Sequence, residues 1–230
     1  MIFRQLYDHD SSTYTYLLAA RQGGEALLID PVIGRVEQYL RLLEELDLKL
    51  VVALDTHIHA DHITGIGKLA SATACATAMG AQAKADCVSM RFSDGEWLHA
   101  DGLLVQALYT PGHTDDSYSF VMTDRVFTGD TLLIRGTGRT DFQNGDAGAQ
   151  YDSLFGTLLR LPDNTLVYPA HDYEGRTCSS IGEERQHNPR LQVKSRQEYV
   201  DLMGGMQLDP PRLMSVAVPA NQACGMDQAA

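Results

Sequence analysis

Short apolar runs dominate the first thirty residues. Residues 2–7, 14–20 and 25–31 read as strands, and Gly23-Gly24 marks the turn between the last two. The period then changes. Val36, Tyr39, Leu40, Leu43 and Leu46 recur at helical spacing, which predicts an amphipathic helix over 35–47. Residues 48–54 are apolar and β-branched enough for a buried strand, a helical segment over 66–74 follows, and 75–79 predicts another strand. Ser93-Asp94-Gly95 is a turn, and the apolar runs 97–99 and 103–109 flank Asp101-Gly102 as a hairpin does. A second hairpin, 118–123 with 125–128, turns at Asp124; a strand is expected at 165–169, and helices near 151–160 and 195–206. Each half of the chain runs strands and then helix, so two β-layers covered by helices are expected. With no repeat or low-complexity stretch, residues 1–230 are expected to form one domain with a frayed tail over 226–230.

Metal-capable residues interrupt this pattern at strand ends. The strand 48–54 runs into Asp55-Thr56-His57-Ile58-His59-Ala60-Asp61-His62, so His57, His59, Asp61 and His62 fall on one strand-to-helix loop, where α/β folds place their chemistry. His57 and His59 are two apart and in an extended loop point the same way; Asp61 and His62 reach a second position nearby. Three more strands end alike, in Pro111-Gly112-His113, Gly129-Asp130 and Pro169-Ala170-His171. Imidazole suits iron and zinc, and carboxylate adds hard oxygen and charge. On the residues alone two metals can be housed: His57, His59 and His113 at one, Asp61, His62 and His171 at the other, with Asp130 bridging. His9, His99 and His187 read as surface histidines.

Composition narrows the classes. A chain of 230 residues, 44% hydrophobic and 21% charged, can bury a sizeable core. A net charge of −12 argues against nucleic acid or an anionic membrane as partner, while a small anionic substrate needs only a few local cations. No run reaches the ~18–20 apolar residues of a membrane span, and the N-terminus reads as a strand rather than a leader. A cytoplasmic location is therefore expected. Cys75, Cys87, Cys178 and Cys224 are scattered without a CxxC, which predicts reduced thiols. Three read as structural; only Cys224, beside Asn221, raises a question of function.

The set His57-x-His59-x-Asp61-His62, Pro111-Gly112-His113-Thr114, Gly129-Asp130 and Ala170-His171 resembles the metallo-β-lactamase superfamily. That resemblance implies an αββα sandwich of two mixed sheets flanked by helices, an α+β fold. A finer resemblance, to persulfide dioxygenases of sulfide oxidation, rests on the stretch from Phe127 to Gln143, on Tyr168-Pro169-Ala170-His171-Asp172-Tyr173, on Glu183-Glu184-Arg185 with Asn188-Pro189-Arg190, and on Ala217-Val218-Pro219-Ala220-Asn221. It implies one non-haem Fe(II) per chain held by His57, His113 and Asp130. Glutathione persulfide would be oxidised with O2 and water to sulfite and glutathione. His59, Asp61, His62 and His171 would then support the iron or mark a vestigial second site. Arg139, Arg190 and Tyr173 match the positions that bind glutathione, with an amide from Asn221, and Asp172 and Thr128 support the site. A homodimer is also implied. Where eukaryotic members carry Gly-Cys-Gly-Arg, this chain has Gly136-Thr137-Gly138-Arg139, which removes the thiol from position 137. Two other readings stand beside this one. In one, the chain is a dinuclear thioester hydrolase of glyoxalase II type; in the other, a non-catalytic metal-binding partner of sulfur-stress machinery.

Overall fold

The computed structural model describes residues 1–209 and 213–226. Strands β1 (Ile2–Asp8), β2 (Thr13–Ala19) and β3 (Glu25–Ile29) pair antiparallel in sequence. Helix α1 (Val36–Glu45) then returns the chain to β4 (Lys49–Leu54), parallel to β3. Helix α2 (Ile66–Thr73) leads to β5 (Ala76–Gly80), and β6 (Met90–Phe92) completes a mixed sheet of order β1-β2-β3-β4-β5-β6. Then come β7 (Trp97–Ala100), β8 (Leu103–Tyr109), β9 (Tyr118–Val121), β10 (Arg125–Gly129), α3 (Ala147–Gly156), β11 (Leu166–Pro169) and β12 (Ser179–Ser180). Helices α4 (Ile181–His187), α5 (Arg196–Gly204) and α6 (Met214–Gln222) follow. The second sheet has the order β12-β11-β10-β9-β8-β7 and is mixed as well, because β10 and β11 run parallel. Two mixed β-sheets flanked by helices are the expected fold class.

Local sequence explains the elements that carry the site. β4 has parallel neighbours on both sides, and Leu50, Val52, Ala53 and Leu54 are all buried, which is why it reads as a continuous apolar run rather than an alternating one. Val36, Tyr39 and Leu43 are the buried stripe of α1. At the β7–β8 turn both Asp101 (φ 40°) and Gly102 (φ 91°) take the positive dihedrals that a two-residue hairpin requires.

The chain divides into two compact units. The first comprises residues 1–92 and 97–105 with α6, around a core that includes Leu17, Leu28, Tyr39, Ile66, Leu69 and Met79. The second comprises 93–96 and 106–209, around Val126, Leu132, Leu154, Leu158, Val167 and Tyr199.

Four elements were not legible in the pattern. β6 and β12 are only three and two residues long. α4 is short, although Ser180 caps it by accepting from the amide of Glu183. α6 holds Pro219 inside it, normally a signal against helix. One expectation is overturned: the thiols are not all reduced, because Cys87 and Cys224 form a disulfide across a separation of 137 residues. The first unit brings the end of α6 against the segment between β5 and β6, a proximity that spacing alone does not reveal. Cys75 is a buried free thiol and Cys178 an exposed one. Of the tail expected to fray, Met226 donates its amide to the carbonyl of Ala223, and 227–230 lie outside the described residues. No helix among the described residues is long and apolar enough to cross a membrane.

Candidate metal centre

In the first unit, the loop after β4 carries its histidines inward: His57, His59 and His62 are all almost fully buried. Asp30, just past β3 and itself buried, organises the loop's start. Its Oδ1 accepts from the Thr56 amide at 2.7 Å and its Oδ2 from the Thr56 hydroxyl at 3.1 Å. The Thr56 hydroxyl has thereby spent its proton. Its oxygen, 3.0 Å from His57 Nδ1, can only accept there. That places a proton on Nδ1 of His57 and the lone pair on Nε2, the nitrogen left to bind a metal.

The rest of the loop is tied in the same way. His59 Nε2 lies 3.1 Å from Asp30 Oδ1. Burial disfavours the His59 imidazolium, but the Asp30 charge and hydrogen bond outweigh it, and its pKa is pushed up to about 9. His62 Nδ1 lies 2.9 Å from Asp61 Oδ2, and the Thr13 hydroxyl sits 3.3 Å from both residues. One ligand-capable atom from each of His59, Asp61 and His62 falls within 4.8 Å of the others. Asn221, fully buried on α6, accepts from the Thr64 amide and donates to the carbonyls of His59 and His62.

In the second unit, His113 follows β8, Asp130 follows β10 and His171 follows β11. His113 Nδ1 lies 2.7 Å from the backbone carbonyl of Arg139, which can only accept. His113 therefore also carries its proton on Nδ1 and its lone pair on Nε2. That Nε2 faces Asp130 Oδ2 at 3.6 Å. An imidazole nitrogen and a carboxylate oxygen turned on one another fit a shared cation. The other carboxylate oxygen, Oδ1, is held by His171 Nδ1 at 2.7 Å. Gly138 closes this corner: its amide donates to the Asp130 carbonyl, and a Cβ there would meet that oxygen at 2.3 Å and His113 Nδ1 at 2.7 Å. The chemistry of these His and Asp side chains fits a borderline divalent metal.

The residues expected to bind glutathione are dispersed in their roles. Arg139 makes a bidentate ion pair with Asp141 and lies over the Phe142 ring at 4.5 Å. Arg190 donates to the Thr137 carbonyl and, at 3.1 Å, to its hydroxyl; burial lowers its pKa. Tyr173 is 71% exposed, its ring parallel to that of His171 at 6.1 Å. The Asn221 amide is engaged by loop backbone at its oxygen and at both its donors. Thr137 is buried, with the Tyr199 hydroxyl 3.1 Å from its Oγ1 and 2.7 Å from Gln150 Oε1. Asp172 Oδ2 accepts from the amides of Glu174 and Arg176, and the Thr128 hydroxyl donates to the Leu132 carbonyl; both brace loops. Sequence reasoning missed Asp30 and Asp55. Each stands at a strand end like the candidate ligands, and with His59 they place ligand-capable atoms within 4.8 Å of one another; that position was the available signal.

Comparison with known proteins bears on these groups together. The family described as "Metallo-beta-lactamase superfamily" matches residues 10–86 and 94–171. The mitochondrial persulfide dioxygenases ETHE1 of Mus musculus and Homo sapiens are each 42% identical over 228 residues, covering 98% of this chain and 89% of the relative. The crystal structure of ETHE1 from Myxococcus xanthus is 52% identical, with a TM-score of 0.95, and the match covers 98% of this chain and 100% of that one.

Proposed function

The chain belongs to the metallo-beta-lactamase superfamily, and from that premise we propose that it is a persulfide dioxygenase. It converts glutathione persulfide, O2 and water to glutathione, sulfite and two protons. The observation that carries this reading is the 42% identity to persulfide dioxygenases over 98% of the chain. The dinuclear hydrolase is not favoured by these similarities.

The metal in this reading is one Fe(II). Its protein ligands are His57, His113 and Asp130, each offering one ligand atom. Two imidazoles and a carboxylate are the donor set of non-haem Fe(II) oxygenases. In this reading residues 1–230 act as one domain. When bound, the iron would supply binding and electron transfer for dioxygen and the persulfide sulfur. The chain's own work is positional. Thr56 and the Arg139 carbonyl fix the two imidazoles with Nε2 outward, and His171 fixes Asp130 by one oxygen, leaving the other for the metal. His59, Asp61 and His62 keep the loop in place around them.

Glutathione brings two carboxylates, for which guanidinium groups are suited. Arg190, depressed by burial, gains from an anionic partner; Arg139 exchanges part of its Asp141 pair for one. Tyr173, exposed beside His171, lies against the peptide. Asn221 is not needed as a substrate contact. A homodimer and a cytoplasmic location complete this reading.

Oxygen uptake by anaerobically prepared, iron-loaded protein given glutathione persulfide tests it, with metal content read on the same sample. Uptake with equimolar sulfite at about one iron per chain is the expected result. No uptake, two metals per chain and hydrolysis of a glutathione thioester would overturn it.

A further inference from the structure

We infer that Asn221 is a positioning residue of the metal centre, acting through the backbone of the His57–His62 loop. This rests on the proposed role of that loop in holding the metal, though not on which reaction follows. The side chain is fully buried. Its Nδ2 donates to the His59 carbonyl at 2.9 Å and to the His62 carbonyl at 2.8 Å, and its Oδ1 accepts from the Thr64 amide at 2.8 Å. One amide thus spans the loop from its second histidine to the residue before α2. It satisfies three backbone groups that no helix or sheet reaches, and leaving them bare in the interior would be costly. The bonds fix the relative heights of residues 59, 62 and 64, and hence the path of the chain through His57.

The segment bearing Asn221 is built to hold that grip. The Cys224 carbonyl accepts from the Gly67 amide in the first turn of α2. Gly225 (φ +66°) lies so close to the loop that a Cβ would meet the Thr64 carbonyl at 2.0 Å. The Cys87–Cys224 disulfide pins the same segment to the stretch between β5 and β6. Pro219 lies inside α6, two residues before Asn221. These features trade regular helix for a close, anchored approach to one loop.

The test compares Asn221→Asp with Val218→Ala. The first keeps the side-chain volume and the acceptor for Thr64, but turns the donor toward His59 and His62 into an acceptor. The second loosens α6, whose Val218 packs on the core, without removing any of the three Asn221 bonds to the loop. Zn(II) and Fe(II) affinities are measured by anaerobic competition with a chelator, beside the Tm of the metal-free proteins and KM for glutathione persulfide at metal saturation. Asn221→Asp is expected to weaken both metals by about tenfold or more with KM unchanged. Val218→Ala is expected to hold metal as the parent does, even at an equal loss of Tm. Normal metal affinity in Asn221→Asp, an equal loss in Val218→Ala, or a raised KM with normal affinity would each overturn the inference. Because Zn(II) binding needs no turnover, a parent enzyme without oxygen uptake would sink the dioxygenase reading and leave this result standing.

Discussion

His171 Nδ1 holds Asp130 Oδ1 at 2.7 Å, while Asp130 Oδ2 faces His113 Nε2 at 3.6 Å. The two oxygens of one carboxylate therefore have different tasks, one steadying the group and the other offered to a metal. Asp130→Ala should lose bound iron and oxygen uptake together. Metal analysis and turnover on the same preparation check this; retention of both would remove Asp130 from the site.

His171→Ala separates support from ligation. With one iron, losing the brace on Oδ1 should weaken iron binding by about 10–100-fold, as other outer contacts to metal ligands do, yet saturating iron should restore one ion per chain and measurable uptake. In a dinuclear hydrolase the same change would remove a ligand and halve the metal content. Titrating metal into the stripped variant distinguishes the two.

Arg139 has two separable parts. Its carbonyl orients His113, and its side chain pairs with Asp141; that pair raises the guanidinium pKa, so the cation persists at any working pH. Arg139→Ala keeps the carbonyl. Iron content should stay at the parent level while KM for glutathione persulfide rises about tenfold, the order expected on losing one charge-assisted contact. Unchanged kinetics would make the side chain purely structural.

Much of this was legible because strands end where chemistry begins. The loop after β4, His113 after β8, Asp130 after β10 and His171 after β11 all follow apolar runs that burial makes conspicuous. The groups that orient them were not legible. Asp30 acts on Thr56 from 26 positions away and Asn221 on the loop from about 160, and such contacts leave no spacing signature. The Cys87–Cys224 bond was hidden for the same reason. α6 was hidden because Pro219 contradicts helix locally while burial of Ala217 and Asn221 enforces it.

Tyr199 tests the buried network around Thr137. Its hydroxyl lies within hydrogen-bond distance of Gln150 Oε1 and Thr137 Oγ1, and burial pushes its pKa up to about 12, so it stays protonated as a donor through the working range. Tyr199→Phe leaves Gln150 Oε1 unsatisfied in the interior and should cost about 1–3 kcal/mol. The urea midpoint should fall with an unchanged slope. Thr137→Cys, which restores the thiol of eukaryotic relatives, replaces a good hydrogen-bonding hydroxyl with a weak one and should destabilise by less.

The Cys87–Cys224 bond decides how stability depends on the redox state of the medium. It closes a loop with a sequence separation of 137 residues, and cross-linking so long a loop restricts the unfolded chain enough to contribute about 2–4 kcal/mol. Oxidised protein should therefore show two reactive thiols after unfolding, Cys75 and Cys178, and reduced protein four. Cys87→Ala should lower the urea midpoint of oxidised protein to that of the reduced parent and leave the reduced midpoint unchanged. Because Cys224 sits three residues beyond Asn221, reduction should also loosen the segment that grips the metal loop, so the reduced parent and Cys87→Ala should share a modest loss of metal affinity. Four titratable thiols in protein kept under air throughout would show that the bond does not form, and the reduced-thiol expectation drawn from cysteine spacing would stand.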